Sequence, residues 1–390
     1  MDYGLTETQR MIRQTIREYL TRVIEPLVPD MEAGKLLPYG PTREMMGVLG
    51  LIDSNGELAT LIAESPPEEQ LKRFVPRVLG VEMGRVCGGM SLAYGTTTAL
   101  AAPAIRRKGS LDQKKRWADP LSRLEKIGSW CLTEPQAGSA ALRDMKTLAI
   151  HHNGHYVLNG SKTFITNAPF ADIFVVYAKL RQNGAESVEA FIVERQDSGI
   201  STGPPMKKMG FRSSPTGEVF LDDCRIPEDR ILTSEYRDRD HVRKSLAGER
   251  VGLQTVSYGL MERAFEIALK YARDRKQGGR PIGDYQLIQR RLARMYAALV
   301  NSRSFVFGDV IGKSILAATP GNASLGKLYV AEMASYVTTE AIHILGGNGY
   351  MEEYIVERLA RDAKLIELGG GTTEIQETTI GRWLVQEYEL

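Results

Sequence analysis

Apolar residues recur every three or four positions over the first third of the chain. They fall in short runs or alternate over the middle third, and recur every three or four again to the end. In the first segment Ile12, Ile16, Tyr19 and Leu20 share one face, and Thr6 to Gln9 has the spacing of a capping box. Pro26 and Pro29 break the helical pattern after Leu20. Thr42 to Leu49 reads as a short helix ending near Gly50, and Asp53 to Pro67 has no clear pattern. Pro66 and Pro67 open a helix through Phe74, Val78 and Val81 toward Gly84. Gly88 and Gly89 are expected to interrupt it before the apolar stretch Met90 to Ala102. Leu111 to Leu121 reads as a surface helix.

The middle third reads as strands. Gly128 to Leu132 is short and apolar. His155 to Leu158 leads into Asn159-Gly160, expected as a hairpin turn, and then Thr163 to Ile165. Ile173 to Ala178 and Val188 to Val193 are β-branched runs, and Glu218 to Ile226 ends at Pro227. The last third predicts helices over Leu246–Tyr271, near Gln286–Gly312 and near Asn322–Leu345, with a turn at Pro320-Gly321. A final helix comes after Gly369, Gly370 and Gly371, where Thr373 to Gln376 has capping-box spacing. The order predicts an α+β chain: a helical domain over 1–126, a β domain over 127–235 and a helical bundle over 236–390. Strands and helices do not alternate, which argues against a Rossmann fold. Clefts between such units are where cofactors tend to sit.

One charge sits where the pattern wants none. Stepping by three and four from Glu249 gives Leu253, Val256, Leu260, Ala264, Ile267 and Tyr271, one apolar stripe. Burial there would raise the carboxyl pKa and suit it to act as a base. The alternative is a carboxylate that reaches solvent at a frayed helix start or pairs with Arg250.

Composition narrows the class. A net charge of +2 over 390 residues gives no polyanion-binding signature. The 3 cysteines, Cys87, Cys131 and Cys224, lack metal spacing and fit a reducing, cytoplasmic setting. His151 and His152 read as surface residues. No apolar run is long enough to span a bilayer.

Four strings carry the chemistry: LTEPQAGS (Leu132 to Ser139), KTFITNAPFAD (Lys162 to Asp172), RKQGGRPIGDYQ (Arg275 to Gln286), and the pair LGGNGY (Leu345 to Tyr350) and ELGGGTTEIQ (Glu367 to Gln376). A glycine turn at a helix start offers free amides to an anion, and each cluster reads equally as a helix cap plus turn. Together, in this order, they resemble the acyl-CoA dehydrogenase family over nearly the whole chain. The resemblance implies an N-terminal helical domain, a middle β-barrel-like domain and a C-terminal four-helix bundle. It also implies bound FAD, a homotetramer and electron transfer to an electron-transferring flavoprotein.

Most members resembling this chain carry a base two residues before the Thr of the last motif, where this chain has Gly370. A subset similar to isovaleryl-CoA and long-chain acyl-CoA dehydrogenases carries it just before an arginine at the start of the long helix, here Glu249-Arg250. By the same resemblance Leu132, Thr133 and Ser139 contact flavin and phosphate, and Thr166 lies beside the reactive flavin nitrogen. Phe164 stands where a Trp is usual. Arg275 meets the pyrophosphate of a neighbouring subunit's FAD, and Gln286 the adenine half. His343, in place of Gln, with Gly347, Thr372 and Glu374, makes the remaining cofactor contacts. Arg250 and Ser139 lie near the bound thioester, with Met90 and Tyr94 as pocket walls; the alternative for these two is helix core. Gly369 and Gly370 leave room beside the α-carbon, which suits a branched or cyclic acyl group, and Met90 replaces an arginine of glutaryl-type relatives. Ala247 replaces an Asp that holds the pantetheine arm, which raises a carrier-protein thioester as the alternative substrate. Gly278 and His343 raise a noncatalytic, FAD-sharing subunit as another.

Overall fold

A computed structural model describes residues 4–51, 68–182, 185–232, 240–308 and 320–387. Asp53 to Pro67 and residues 309–312 of the expected helix near Gln286–Gly312 lie outside the described residues, as does the 235/236 boundary. The N-terminal helices are α1 (Glu7–Tyr19), α2 (Val28–Glu32), α3 (Tyr39–Val48), α4 (Glu68–Gly95) and α5 (Ala102–Lys108), then the short turns α6 (Leu111–Gln113) and α7 (Asp119–Ser122). The strands are β1 (Gly128–Cys131), β2 (Leu148–His152), β3 (His155–Thr166), β4 (Ile173–Gln182), β5 (Ala185–Glu194), β6 (Ile200–Thr202), β7 (Thr216–Pro227) and β8 (Ile231–Leu232). The C-terminal helices are α8 (Asp240–Asp274), α9 (Gln286–Phe307), α10 (Pro320–Leu345), α11 (Val356–Leu368) and α12 (Thr373–Gln386). Thr6 caps α1 through the box with Gln9 that its spacing predicts.

The strands form one sheet in the order β6-β7-β3-β2-β4-β5-β8, with β1 also on β4. β4 is buried on both faces. Phe174, Val176, Ala178 and Leu180 point into one core, while Ile173, Val175 and Tyr177 point into another with Trp117 and Leu121. That double burial explains its unbroken apolar run.

Several expectations change. Asn159-Gly160 is not a hairpin turn; it lies inside β3 at a register shift against β7. Gly160 has φ +150, and a Cβ there would come within 2.6 Å of Thr147 Oγ1. The hairpin turn is the other Asn-Gly pair, Asn153-Gly154, between His152 and His155, with φ +48 and +74. The interruption expected at Gly88 and Gly89 falls one residue earlier: α4 is two helical stretches that meet at a kink at Cys87 (φ −151, ψ 87), and the glycines after it admit Phe211 and Ser213, whose side chains would lie 2.3 and 2.2 Å from added Cβ atoms. Pro320 and Gly321 open α10 instead of preceding it, since proline is tolerated in a first helical turn. Thr372, not Thr373, caps α12, accepting from Ile375 N, and Gln376 turns back to the glycine carbonyls.

α4 lies tightly on α8. A Cβ at Gly84 would meet Val256 O at 2.6 Å, and one at Gly259 would meet Val81 O at 2.1 Å. Buried arginines and glutamates lock this crossing to α1. Arg13 bonds Glu82 and Glu262 at 2.6 and 2.7 Å, and Arg85 bonds Glu262 at 2.7 Å. From that crossing α4 runs on through Met90 and Tyr94 to the strand ends. There Asn167, fully buried, donates to Ala93 O and Gly128 O at 2.9 Å each and accepts from Tyr39 at 3.0 Å. Among the described residues no helix is long and apolar enough to cross a membrane.

Candidate active site

The expected residues near the strand ends and near the start of α8 fall into two groups. The first stands at the ends of β1 and β3. Thr163 N donates to Thr133 O at 3.0 Å, and Ser129 donates to Thr166 O at 2.9 Å, so Leu132, Thr133, Phe164 and Thr166 share one rim. Phe164 sits at φ +57 with its ring 70% exposed. A left-handed backbone is strained for a residue with a side chain, and an exposed ring adds a second cost. Both fit a position shaped to receive a flat ligand. Ser139 is exposed beside Gly138, where an added Cβ would meet nothing within 4 Å.

Under this rim lies a buried ion pair. Lys162, fully buried, donates to Leu132 O at 3.1 Å and to Glu134 Oε1 at 2.9 Å. Glu134 also accepts from Lys146 N at 2.6 Å and from Thr147 N at 2.9 Å. The LTEPQAGS loop is thereby fastened to β3 by its own glutamate.

The second group centres on Glu249. α8 begins at Asp240, so Glu249 sits well inside the helix and not at a frayed start. Leu253, Val256, Leu260 and Ala264 of its stripe are buried. Burial pushes the Glu249 carboxyl up to about 7, against the opposing pull of the Arg250 and Lys327 charges. Arg250 donates to Ser324 Oγ at 3.1 Å, across to α10. The glycine turn between α11 and α12 closes over this carboxyl. A Cβ at Gly370 would lie 3.6 Å from Glu249 Cδ and 2.4 Å from Leu253 Cδ1. The room expected at Gly370 is therefore taken up by Leu253 and Glu249; at Gly369 the nearest atom to an added Cβ is Leu365 O at 3.4 Å. Two polar atoms here, Arg250 Nε and Gln376 Oε1, are buried with no hydrogen-bond partner. Orphaned polar atoms at a site mark where a polar ligand belongs.

Gly370 has φ +65. Gly370→Ala is expected to lower stability by about 1–2 kcal/mol from the left-handed backbone alone, and further through Leu253. A chemical denaturation midpoint measures this.

Of the remaining expected cofactor contacts, two follow the glycine turn and the others lie at the far end of α8. Thr372 caps α12, and Glu374 is exposed in its first turn. Arg275, Gln286, His343 and Gly347 are all exposed. Arg275 follows the end of α8, about 38 Å along the helix from Glu249 at 1.5 Å per residue. The Gly346–Tyr350 turn joins that far end, with Asn348 Nδ2 donating to Tyr271 OH at 3.0 Å. This glycine cluster continues the C-terminus of α10 as a 3-10 turn, whereas Gly369–Gly371 leads into the α-helix α12. His343 sits in a surface group with Glu340 and Arg291. Met90 is fully buried and Tyr94 half-buried. The side chain of Ala247 lies outside the described residues. Sequence reasoning passed over Lys162, Asn167 and Lys327; only the first two fall within a string it singled out.

Three family models match the chain: Acyl-CoA dehydrogenase, N-terminal domain, over residues 6–125; middle domain, over 129–224; and C-terminal domain, over 240–385. The short-chain specific acyl-CoA dehydrogenase of Clostridium acetobutylicum is 32% identical, covering 97% of this chain and 98% of its own. The mitochondrial isovaleryl-CoA dehydrogenase of Solanum tuberosum is 37% identical, covering 98% and 91%. The crystal structure of an acyl-CoA dehydrogenase complexed with FAD from Bacillus anthracis superposes with a TM-score of 0.84 at 30% identity, covering 98% of this chain and 68% of that one. With three domain models matched in order and full-length relatives above 30% identity, the chain belongs to the acyl-CoA dehydrogenase family, FAD-dependent oxidoreductases that dehydrogenate acyl-CoA thioesters.

Proposed function

We propose that Glu249 is the base that removes the α-proton of a branched or cyclic acyl-CoA. The observation that carries this is its placement: a carboxyl raised to about 7, held against the side-chain-free turn at Gly370. The α-proton passes to the Glu249 carboxylate. Its bonding pair becomes the α,β double bond as the β-hydrogen leaves with its own pair. Bound FAD supplies the acceptor for that hydride. Thr133, Phe164 and Thr166 hold the flavin from the strand ends, with Leu132 and Ser139 on the adjoining loop. Arg250 orients the thioester and Tyr94 walls the acyl group, whereas Met90, with no exposed surface, belongs to the helix core.

The acyl group follows from the turn. Gly369, where an added Cβ meets nothing nearer than Leu365 O at 3.4 Å, is the position that leaves room for a branch, and Leu253, which fills the space at Gly370, sets how far it can reach. Arg275, Gln286, His343 and Gly347, exposed at the far end of α8, are suited to the FAD of a second copy, with a homotetramer as the assembly. Thr372 and Glu374 complete the cofactor contacts. The electron acceptor is an electron-transferring flavoprotein, and the setting is cytoplasmic. A carboxyl so placed favours an active enzyme over a noncatalytic, FAD-sharing subunit.

The test is anaerobic bleaching of the FAD-loaded protein by a panel of straight, branched and cyclic acyl-CoA thioesters, repeated with carrier-bound thioesters. Branched or cyclic acyl-CoA is expected to bleach fastest; preference for straight chains or a carrier-bound thioester would overturn the substrate assignment. The pH dependence has a definite sign. The base works deprotonated, so kcat/KM should fall tenfold per pH unit below an apparent pKa of about 7. A limb near the ordinary glutamate value would contradict the buried base.

A further inference from the structure

Lys327 projects from α10 into the turn that covers Glu249, and it is 1% exposed. Its Nζ donates to Gly371 O at 2.6 Å and to Glu367 O at 3.4 Å. These carbonyls bracket Gly369 and Gly370, the second of which lies against the Glu249 carboxyl. Backbone carbonyls orient an ammonium without cancelling its charge. The charge therefore reaches its surroundings, which are poorly screened by water.

We propose that Lys327 is a positioning residue for the base: tethered to Glu367 and Gly371, its ammonium holds the glycine turn against Glu249 and favours that carboxyl's ionised form. This rests on the reading of Glu249 as the base. The charged groups around it come from four helices. Arg250 shares α8 with Glu249, Lys327 comes from α10, Glu367 ends α11 and Glu374 begins α12. Arg250 and Lys327 both draw the Glu249 carboxyl down against the upward push of burial. Burial and then Arg250 bring Lys327 down to about 8, opposed by Glu249, Glu367 and Glu374. The two cations thus limit how far burial can neutralise the base.

The experiment uses the FAD-loaded full chain with Lys327→Met, Lys327→Gln and Lys327→Arg. Gln keeps a donor for the Gly371 carbonyl and drops the charge, so it serves even where Met folds poorly. Two readouts are taken: the acid limb of kcat/KM, and the Glu249 carboxyl pKa from infrared pH-difference spectra against Glu249→Gln. Both should rise by about one unit in the Met and Gln variants, with Arg returning toward the parent. An unmoved limb and carboxyl pKa in Lys327→Gln would show Lys327 to be a structural tether only, leaving the base assignment intact. A Glu249→Gln protein that bleaches at the parent rate would overturn the base assignment, and this proposal with it.

Discussion

Replacing Glu249 by Gln is expected to slow flavin bleaching by about 10²–10⁴ while leaving FAD and acyl-CoA bound. Gln keeps the shape of the side chain between Leu253 and Gly370, so the turn should stay closed. It cannot take a proton. The loss should therefore appear in kcat and kcat/KM together, because only an interaction made in the transition state is removed. The buried stripe of α8 is otherwise untouched, and the melting temperature should hold or rise, since a carboxyl raised to about 7 is partly ionised at neutral pH in a place that disfavours its charge. Stopped-flow absorbance with a thioester in excess measures the rate, and flavin retention measures the binding.

The largest effect on stability is expected from Glu134→Ala. The change leaves the buried Lys162 ammonium with Leu132 O as its remaining acceptor, and strips Lys146 N, Thr147 N and the Thr147 hydroxyl of theirs. Removing one member of a buried pair costs about 3–5 kcal/mol. Burial pushes the Glu134 carboxyl up, but the Thr147 hydroxyl, the Lys146 amide and Lys162 outweigh it and hold the carboxyl below its usual range. The pair's contribution is thus fully present at neutral pH and is lost only as pH falls through that lowered value. Urea denaturation at pH 7 measures the cost, which should shrink as the pH is lowered through the acid range. Adding Lys162→Met should recover part of the loss at pH 7, because the unpaired charge is then gone. The variant should also bind FAD more weakly, since Leu132 to Ser139 loses its tie to β3.

Much of the fold was legible because periodicity reports burial. The stripe from Glu249 to Tyr271 gave α8 and its misplaced charge, and the unbroken run at Ile173 gave a strand buried on both faces. What stayed hidden depended on partners distant in sequence. Asn153-Gly154 and Asn159-Gly160 carry the same local signal. Only the approach of Thr147 to Gly160 decides that the second is a bulge. Gly88 and Gly89 marked the kink to within one residue, at Cys87, but not the packing of Phe211 and Ser213 on them. The candidate site divides likewise. Glu249 was found because a carboxylate on an apolar stripe is anomalous in one dimension. Lys327 lies in a largely apolar helix whose local sequence names no partner for it, and its target carbonyls are 40 or more residues away. Asn167 sat within a string already singled out, but its contacts to Ala93, Gly128 and Tyr39 leave no local trace.

The most direct test of the base is exchange of the thioester's α-hydrogen with solvent. The FAD-loaded protein is incubated with isovaleryl-CoA in D2O and the recovered thioester is weighed by mass spectrometry. Deuterium should enter the α-position with the parent protein and fall to the uncatalysed level with Glu249→Gln. Equal exchange by both proteins would contradict the account.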